Sequence, residues 1–506
     1  MGYPSVVSGI RSPRRLRHAA VAVIMAMLAA SPVLAQDETK VVEYVGSVEL
    51  TPWKGVAGTE VAITGSGFDP GTEVEIVWNS VEGSWLLEGA AQEEFVGREF
   101  EPTATPMSSA TVEADGSFEA AFEAPVDYGF SHDVTVESDG QLLNKAGFRL
   151  EPTLTVTPSS GPVGTPINVR MEGIGWGYLE NSWQLTYDNQ YTGVLTSVTS
   201  DGVAEATIPA TGGVGPHRIR IIHGAFTVPY LNGQQSPRPD RVDYTFDFEV
   251  TPGDAVMPLP AASQALPVEP AQAPADGDGP AVWADVASGP VGTPLTISGR
   301  GFEPGQEVSL AWTSVVGNRI SGSGWEEVSR DVGVVPVSDD GTIELAWAIP
   351  DDLGGPLRLI VETDGAPMAE TSVTITPSLV SSEVVQGPFG EMAQIVLKGV
   401  GWTETANIYN LVYDNVFLGY SCGFNSQGDV TINMPLTGAP GWHFVDLYPG
   451  IYKGEDMGGV QNFRTPQLTF EDDHPGERLP AFRLAFEVTP SALATGGGDE
   501  ATLSID

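Results

Sequence analysis

The sequence predicts an all-β protein: four tandem antiparallel β-sandwiches in the order A–B–spacer–A–B. Three observations carry this. Apolar and polar residues alternate with a period of two in short runs. The chain of 506 residues holds 60 Gly and 40 Pro, an excess that suits short strands and tight turns better than helices. Two kinds of unit, each of about 100 residues, occur twice, and that is the size of a sandwich able to bury its own core.

Ahead of the first unit, residues 1–35 read as a secretory signal peptide. Arg11, Arg14, Arg15 and Arg17 form a positive stretch, and Ala19–Ala30 is an apolar run too short for a membrane span. Val33-Leu34-Ala35 supplies the small residues of a cleavage junction, so cleavage is expected near Ala35. Arg14-Arg15 also has the letters of a twin-arginine signal, which Leu16-Arg17 continues poorly. No later run is apolar and long enough to span a bilayer. The expectation is an extracellular, cell-surface or periplasmic protein, with no membrane insertion after cleavage.

The first unit, A1 (45–151), opens with Gly58-Thr59 and a strand, then the corner Gly65-Ser66-Gly67-Phe68-Asp69-Pro70-Gly71, then a second strand ending on Trp78. Val74, Ile76 and Trp78 face one way and Glu73 and Glu75 the other, as on a half-buried strand. A2 (282–376) repeats this with Gly299-Arg300-Gly301-Phe302-Glu303-Pro304-Gly305 and Val308, Leu310 and Trp312. The A offset is 234 residues before the middle of the unit and 225 after it, so A1 has the longer middle. Within that middle, Ser84–Val96 carries a weak helical pattern.

B1 (152–252) and B2 (377–490) match at an offset of 226. They share Trp176 with Trp402, Tyr187-Asp188-Asn189 with Tyr413-Asp414-Asn415, and His217 with His443. Both close on Phe-Glu-Val-Thr-Pro at an offset of 238, so B2 has twelve extra residues after Gly450. An A–B pair has been duplicated whole, and periods this long suggest beads on a string. Residues 253–281, rich in Pro, Ala and Asp, read as an extended, semi-rigid spacer, and 491–506 as a loose tail.

The run Gly-x-x-Gly-Thr followed by Gly-x-Gly-Phe-x-Pro-Gly stands at Gly55–Gly71 and Gly289–Gly305. It resembles the start of bacterial immunoglobulin-like domains of the IPT/TIG kind. The resemblance covers about the first third of each A unit and is looser in the B units, where Trp176 and Trp402 replace Phe and the Pro-Gly turn is missing. It implies immunoglobulin-like sandwiches serving as structural or binding modules of exported proteins. It says almost nothing about a ligand.

Charge and cysteine narrow the function further. With 66 acidic and 23 basic residues the chain carries a formal net charge of −43, a field that repels nucleic acid and anionic membranes. The acids are dispersed. They read as a solvated surface, or as sites of weak Ca2+ binding; no other cofactor is expected. One Cys, Cys422, excludes an intramolecular disulfide framework and reads as a half-buried spectator thiol.

Catalytic and metal motifs were sought without result. The glycines near Gly65 lead into a Pro and another strand, not into a helix whose N–H groups face a phosphate. Gly419-Tyr420-Ser421-Cys422-Gly423 spells a hydrolase nucleophile elbow, but a turn-forming run follows where that motif needs a helix. Asp276-Gly277-Asp278-Gly279 reads as a flexible turn in the spacer. No metal ligands and no catalytic residues are assigned.

The candidate binding residues are Tyr187, Asp188, Asn189 and His217, their matches Tyr413, Asp414, Asn415 and His443, and Tyr230 at the tip of a Pro-rich loop. An aromatic beside carboxylate, amide and imidazole groups suits a sugar or metal site. The same residues also suit structure, since Asp-Asn tolerates the left-handed backbone of a hairpin turn. Trp85, Trp183, Trp325, Trp442, Tyr178, Tyr448 and Tyr452 are either loop contacts or plugs beneath loops. The resulting expectation is a non-enzymatic structural, adhesive or binding protein whose partner is an envelope polymer or protein. Its rivals are a carbohydrate-binding or hydrolytic protein with a site in the B units, and a cation-dependent surface-layer component.

Overall fold

The computed structural model describes residues 44–490, apart from 90–91, 93, 178–179, 224–227, 236–242, 259–264, 276, 278, 319–323, 383–384, 453–463 and 477. The predicted signal peptide, Tyr178 and the tail lie outside the described residues. Among those described there is no α-helix, and no helix long and apolar enough to cross a membrane.

Each of the four units is a two-sheet, immunoglobulin-like sandwich. In A1 a three-stranded sheet runs Ser47–Thr51, Glu60–Ser66, Ser117–Glu123; facing it is a five-stranded sheet in the order Lys54–Gly55, Gln141–Leu150, Phe130–Ser138, Glu73–Glu88, Glu94–Thr111. B1, A2 and B2 repeat that plan. The pairing is antiparallel except at one place per unit. There a short early strand lies parallel to the last one, as Lys54–Gly55 does against Arg149 and Leu150.

The repeated glycine corner is the local reason for the plan. Gly67 and Gly301 sit at φ +82° and +78°, a left-handed backbone that ends one sheet's strand and sends the chain to the other. Trp78 then lands in a core with Val74, Ile76, Phe122 and Phe148, and Trp312 in one with Val308, Leu310 and Leu359. In the B units Leu185 and Tyr187, and Leu411 and Tyr413, occupy the matching inward positions.

Two expectations are corrected. Ser84–Val96 is not helical: its described residues belong to the long hairpin Glu73–Glu88 and Glu94–Thr111, in which Trp85 lies opposite Arg98. Cys422 is exposed, not half-buried, because it ends the edge strand Val416–Cys422 with its side chain outward.

The sandwiches are also not beads on a string. From residue 46 onward the described residues form one compact unit. Every residue of Ser182–Tyr187 and of Ile408–Tyr413 is buried, on both faces of each strand. The inward faces fill the B cores. The outward ones, Gln184, Thr186 and Asn410 among them, are covered as well: Asn410 Nδ2 donates to the Thr465 carbonyl at 3.0 Å, and Val412 and Leu468 of B2 pack into the B1 core. Sequence gives no warning of this, since a polar outward face is also what water requires.

Within each A–B pair a glycine contact closes the joint. Gly129 N donates to the Ile174 carbonyl at 3.1 Å, and Gly354 N to the Val400 carbonyl at 3.1 Å. A Cβ on Gly129 would lie 1.8 Å from the Gly173 carbonyl oxygen, and one on Gly354 would lie 2.0 Å from that of Gly399. Such an approach admits only glycine. The spacer is docked rather than free, because Glu269–Pro270 adds as an edge strand to Val286–Gly289.

Candidate functional site

The Tyr-Asp-Asn turn and its histidine do come together, twice. In B1, Asp188 and Asn189 have φ of +49° and +65°, the left-handed pair of a tight hairpin between Ser182–Tyr187 and Gln190–Thr196. His217, on Gly215–His223, reaches across the turn. Its Nδ1 donates to Asp188 Oδ2 at 2.5 Å and its Nε2 to the Gly213 carbonyl at 2.7 Å. Asp188 Oδ1 accepts from Arg218 N at 2.9 Å. Tyr187 stacks on His217 at 5.5 Å and donates its hydroxyl to the Thr211 carbonyl at 2.9 Å.

B2 repeats this atom for atom. His443 donates to Asp414 Oδ2 at 2.5 Å and to the Ala439 carbonyl at 2.8 Å, Phe444 N donates to Asp414 Oδ1, and Tyr413 donates to the Thr437 carbonyl. Burial pushes the phenols of Tyr187 and Tyr413 up to about 12. Burial alone would lower the pKa of His443. The hydrogen bond and charge of Asp414, with the Ala439 carbonyl, outweigh it and hold the imidazolium above its ordinary value.

Every polar atom of the Tyr-Asp-His set therefore has a partner inside its own sandwich. The set clamps the hairpin turn to the neighbouring strand. The two asparagines diverge: Asn189 is exposed, whereas Asn415 is 1 % exposed in the solvent-accessibility sense and sits between B1 and B2. Asn415 Nδ2 donates to the Pro209 carbonyl at 2.8 Å and to Thr211 Oγ1 at 3.0 Å, and its carbonyl accepts from Thr192 Oγ1. Tyr230 stands apart from both sets, partly exposed on its loop.

The loop aromatics divide. Trp183 and Tyr448 are buried, and Trp325 packs edge-on against buried Trp402 at 4.5 Å. Trp85 donates to Asp473, and Tyr452 lies under the Arg464 guanidinium at 4.0 Å. Trp442 stays near the surface. Ser421, in the nucleophile-like pentapeptide, lies on a strand and donates to the Tyr409 carbonyl at 3.2 Å. Among the described residues no group of three or more His, Cys, Asp or Glu is arranged to hold a metal ion.

Three features were missed in the sequence. Asp127 and Asp352 are buried carboxylates that accept from the inner tryptophans, and both stand at the offset of 225 that relates the ends of the A units. The repeat alignment therefore contained them. Asp473, from the region of extra residues in B2, accepts from Trp85 Nε1 of A1 and from Thr196 Oγ1, Val198 N and Thr199 N of B1. Nothing in its sequence neighbourhood signals that role. Finally, a cavity of about 640 Å³ opens where B1, the spacer and B2 meet, lined by Glu205, Leu266, Tyr448, Phe470 and the ion pair of Asp446 with Arg483. Burial raises the Asp446 pKa despite the adjacent guanidinium.

No known protein family matches the chain, and no curated protein does. Among solved structures it overlaps a Salmonella alpha-2-macroglobulin reacted with methylamine at 11% identity and a TM-score of 0.18, over 86% of this chain and 30% of that one. The ICAM-5 D1–D4 ectodomain fragment overlaps at 12% identity and a TM-score of 0.18, covering 87% of this chain and 98% of that one. A putative membrane anchored protein from Corynebacterium diphtheriae overlaps at 12% and 0.16, covering 88% and 92%. Overlaps this loose carry no argument about fold arrangement or function. The chain spans less than a third of the length of the alpha-2-macroglobulin it overlaps.

Proposed function

We propose that this chain is an exported, non-enzymatic protein of the cell envelope, built from immunoglobulin-like domains of the IPT/TIG kind, that holds its four sandwiches as one rigid body and presents their surface to an envelope polymer or protein. The observation that carries the reading is the joining of the sandwiches. Glycine contacts close each A–B pair, and Asp473 ties B2 to both A1 and B1. Such joints suit a scaffold that fixes the spacing of its surfaces, because relative motion would break close backbone contacts and leave a buried carboxylate without its donors.

The Tyr-Asp-His sets support this reading over a hydrolytic one. A general base needs a ring nitrogen within reach of substrate, and both ring nitrogens of His217 and of His443 are directed into the protein. The test is fractionation of expressing cells, with N-terminal sequencing and co-sedimentation of the purified full chain with isolated envelope material. The expected result is a chain starting at Gln36 outside the cytoplasm that sediments with the envelope. Retention in the cytoplasm with residues 1–35 intact would defeat the reading, and so would failure to sediment.

A further inference from the structure

The two A units differ at one sheet edge. In A2 the strand Val286–Gly289 is flanked on both sides. Ser288 and Gly289 lie parallel to Thr374 and Ile375, while Glu269 and Pro270 pair with Ser288 and Val286 from the other side. Ala271 N donates to the Asp285 carbonyl at 2.9 Å and fixes the end of this Pro-rich strap. Leu266, Pro267 and Glu269 cover a cavity of about 270 Å³ whose other wall includes Ser288, Thr374 and Thr376.

In A1 the matching strand, Lys54–Gly55, makes the same parallel pairing to Arg149 and Leu150, and among the described strands its sheet ends there. Beside it runs a groove of about 550 Å³ lined by Trp53, Lys54, Ser131, Arg149 and Glu151. Four of the residues that line this groove are larger than their A2 matches. Trp53 replaces Ala287, Lys54 replaces Ser288, Arg149 replaces Thr374 and Glu151 replaces Thr376. The fold needs none of the four, since A2 forms without them. Trp53 is 59% exposed, with the Lys54 ammonium 5.9 Å from its ring and 2.9 Å from Glu151.

We propose that this groove binds an extended, proline-containing acidic segment of a partner protein, added along Lys54–Gly55 as the strap is added along Val286–Gly289. The chemistry agrees at each contact. A sheet edge offers N–H and C=O groups to an extended chain. An exposed indole is a platform for a proline ring, and a Pro-rich segment is already extended and loses little entropy on binding. The strap register sets Glu269 opposite Ser288, so an acidic residue in the guest faces Lys54 in A1. Lys54 and Arg149 outnumber Glu151, the partner of Lys54, and leave the groove with a net positive charge in a chain of net charge −43, which is complementary to an acidic guest. The proposal does not depend on where in the cell the chain resides.

The probe is a fluorophore-labelled peptide with the sequence of residues 265–271, Ala-Leu-Pro-Val-Glu-Pro-Ala, titrated with the purified full chain and read by fluorescence anisotropy. Saturable binding is expected. Trp53→Ala should weaken it about tenfold or more, as loss of an aromatic anchor does. Lys54→Glu should weaken it as well, and should favour a peptide whose Glu is replaced by Lys. Both side chains are exposed, so unchanged circular dichroism is expected of both variants. Absence of saturable binding up to millimolar concentrations would overturn the proposal. Binding that is the same in wild type and both variants would place the peptide on the A2 edge and overturn it too.

Discussion

Trp78 donates its indole N–H to Asp127 Oδ2 at 2.6 Å, and Trp312 makes the same bond to Asp352 at 3.0 Å. In each A core the largest side chain is thus tied to a buried carboxylate. Ser80 and Ser314 donate to the same carboxylates, as do the backbone N–H groups of Tyr128 and Leu353. Two residues after these aspartates, Gly129 and Gly354 form the glycine contacts with the B units. One short segment therefore fixes both the core and the joint.

Asp352 is the more heavily used of the two. It is fully buried, accepts from Gln427 Nε2 of B2 at 2.7 Å and lies 3.3 Å from the Arg330 guanidinium. Asp352→Ala would strip the Trp312 indole N–H and the Ser314 O–H of their acceptor in the interior. Each such loss costs about 1–3 kcal/mol, so the variant should lose about 3 kcal/mol or more of stability. Denaturant unfolding checks this, with Glu344→Ala, on the exposed side of the strand Ile343–Ala348, as the control expected to change little.

Asp473 is predicted to hold the two A–B pairs together. Its carboxylate takes hydrogen bonds from Thr196, Val198 and Thr199 of B1 and from Trp85 of A1, while Val194 N and Leu468 N exchange bonds with the Pro466 and Val194 carbonyls nearby. Asp473→Ala should leave the four cores intact and loosen their association. Small-angle X-ray scattering should then show a larger radius of gyration, and limited proteolysis should show faster cleavage between A1–B1 and A2–B2. An unchanged scattering profile would show that apolar contacts such as Val412 and Leu468 against the B1 core suffice.

The balance between what sequence revealed and what it hid follows from these contacts. Sandwich strands were legible because period-two alternation and left-handed glycine corners are local, and the duplication displayed each twice. The Tyr-Asp-Asn turn and the repeated histidine were legible for the same reason. Their convergence was not, because a hydrogen bond from His217 to Asp188, 29 positions away, leaves no mark on composition. The B1–B2 interface was hidden by its polarity: Thr192, Thr196, Asn415 and Thr469 meet across it, and polar residues are also what a solvent-facing surface carries. Asp473 binds residues more than 270 positions away, beyond any local pattern.

His443 gives a prediction in pH. Its Nδ1 and Nε2 both face acceptors, and Asp414 raises its pKa in the folded state against the opposing effect of burial. A raised pKa means that folding favours the protonated ring. The stabilisation is complete below the unfolded value of about 6.5 and is lost as pH rises through the higher folded value. Wild type should therefore lose thermal stability, relative to His443→Gln, as pH rises above about 6.5. Parallel melting curves for the two proteins would contradict the assignment.

One difference between the two A–B joints sets a stabilising substitution. Gln427 reaches from B2 to Asp352, but its match in B1 is Asp201, a second carboxylate facing Asp127. Both occupy the same left-handed turn position, with φ of +55° and +48°. Burial, then the charges of Asp127 and Glu82, raise the Asp201 pKa in the folded protein. A carboxyl with a raised folded pKa favours folding when protonated, so this joint is weakest at neutral pH and tightens as pH falls. Asp201→Gln replaces the repulsion with the amide that the other joint already uses. It should stabilise the chain at pH 7 by less than about 1 kcal/mol, since Asp201 remains open to solvent and its charge is screened. The gain should shrink steadily as pH is lowered toward 4. Equal stability of variant and wild type at pH 7, in low salt where the repulsion is strongest, would show that the Asp127–Asp201 contact does not limit the joint.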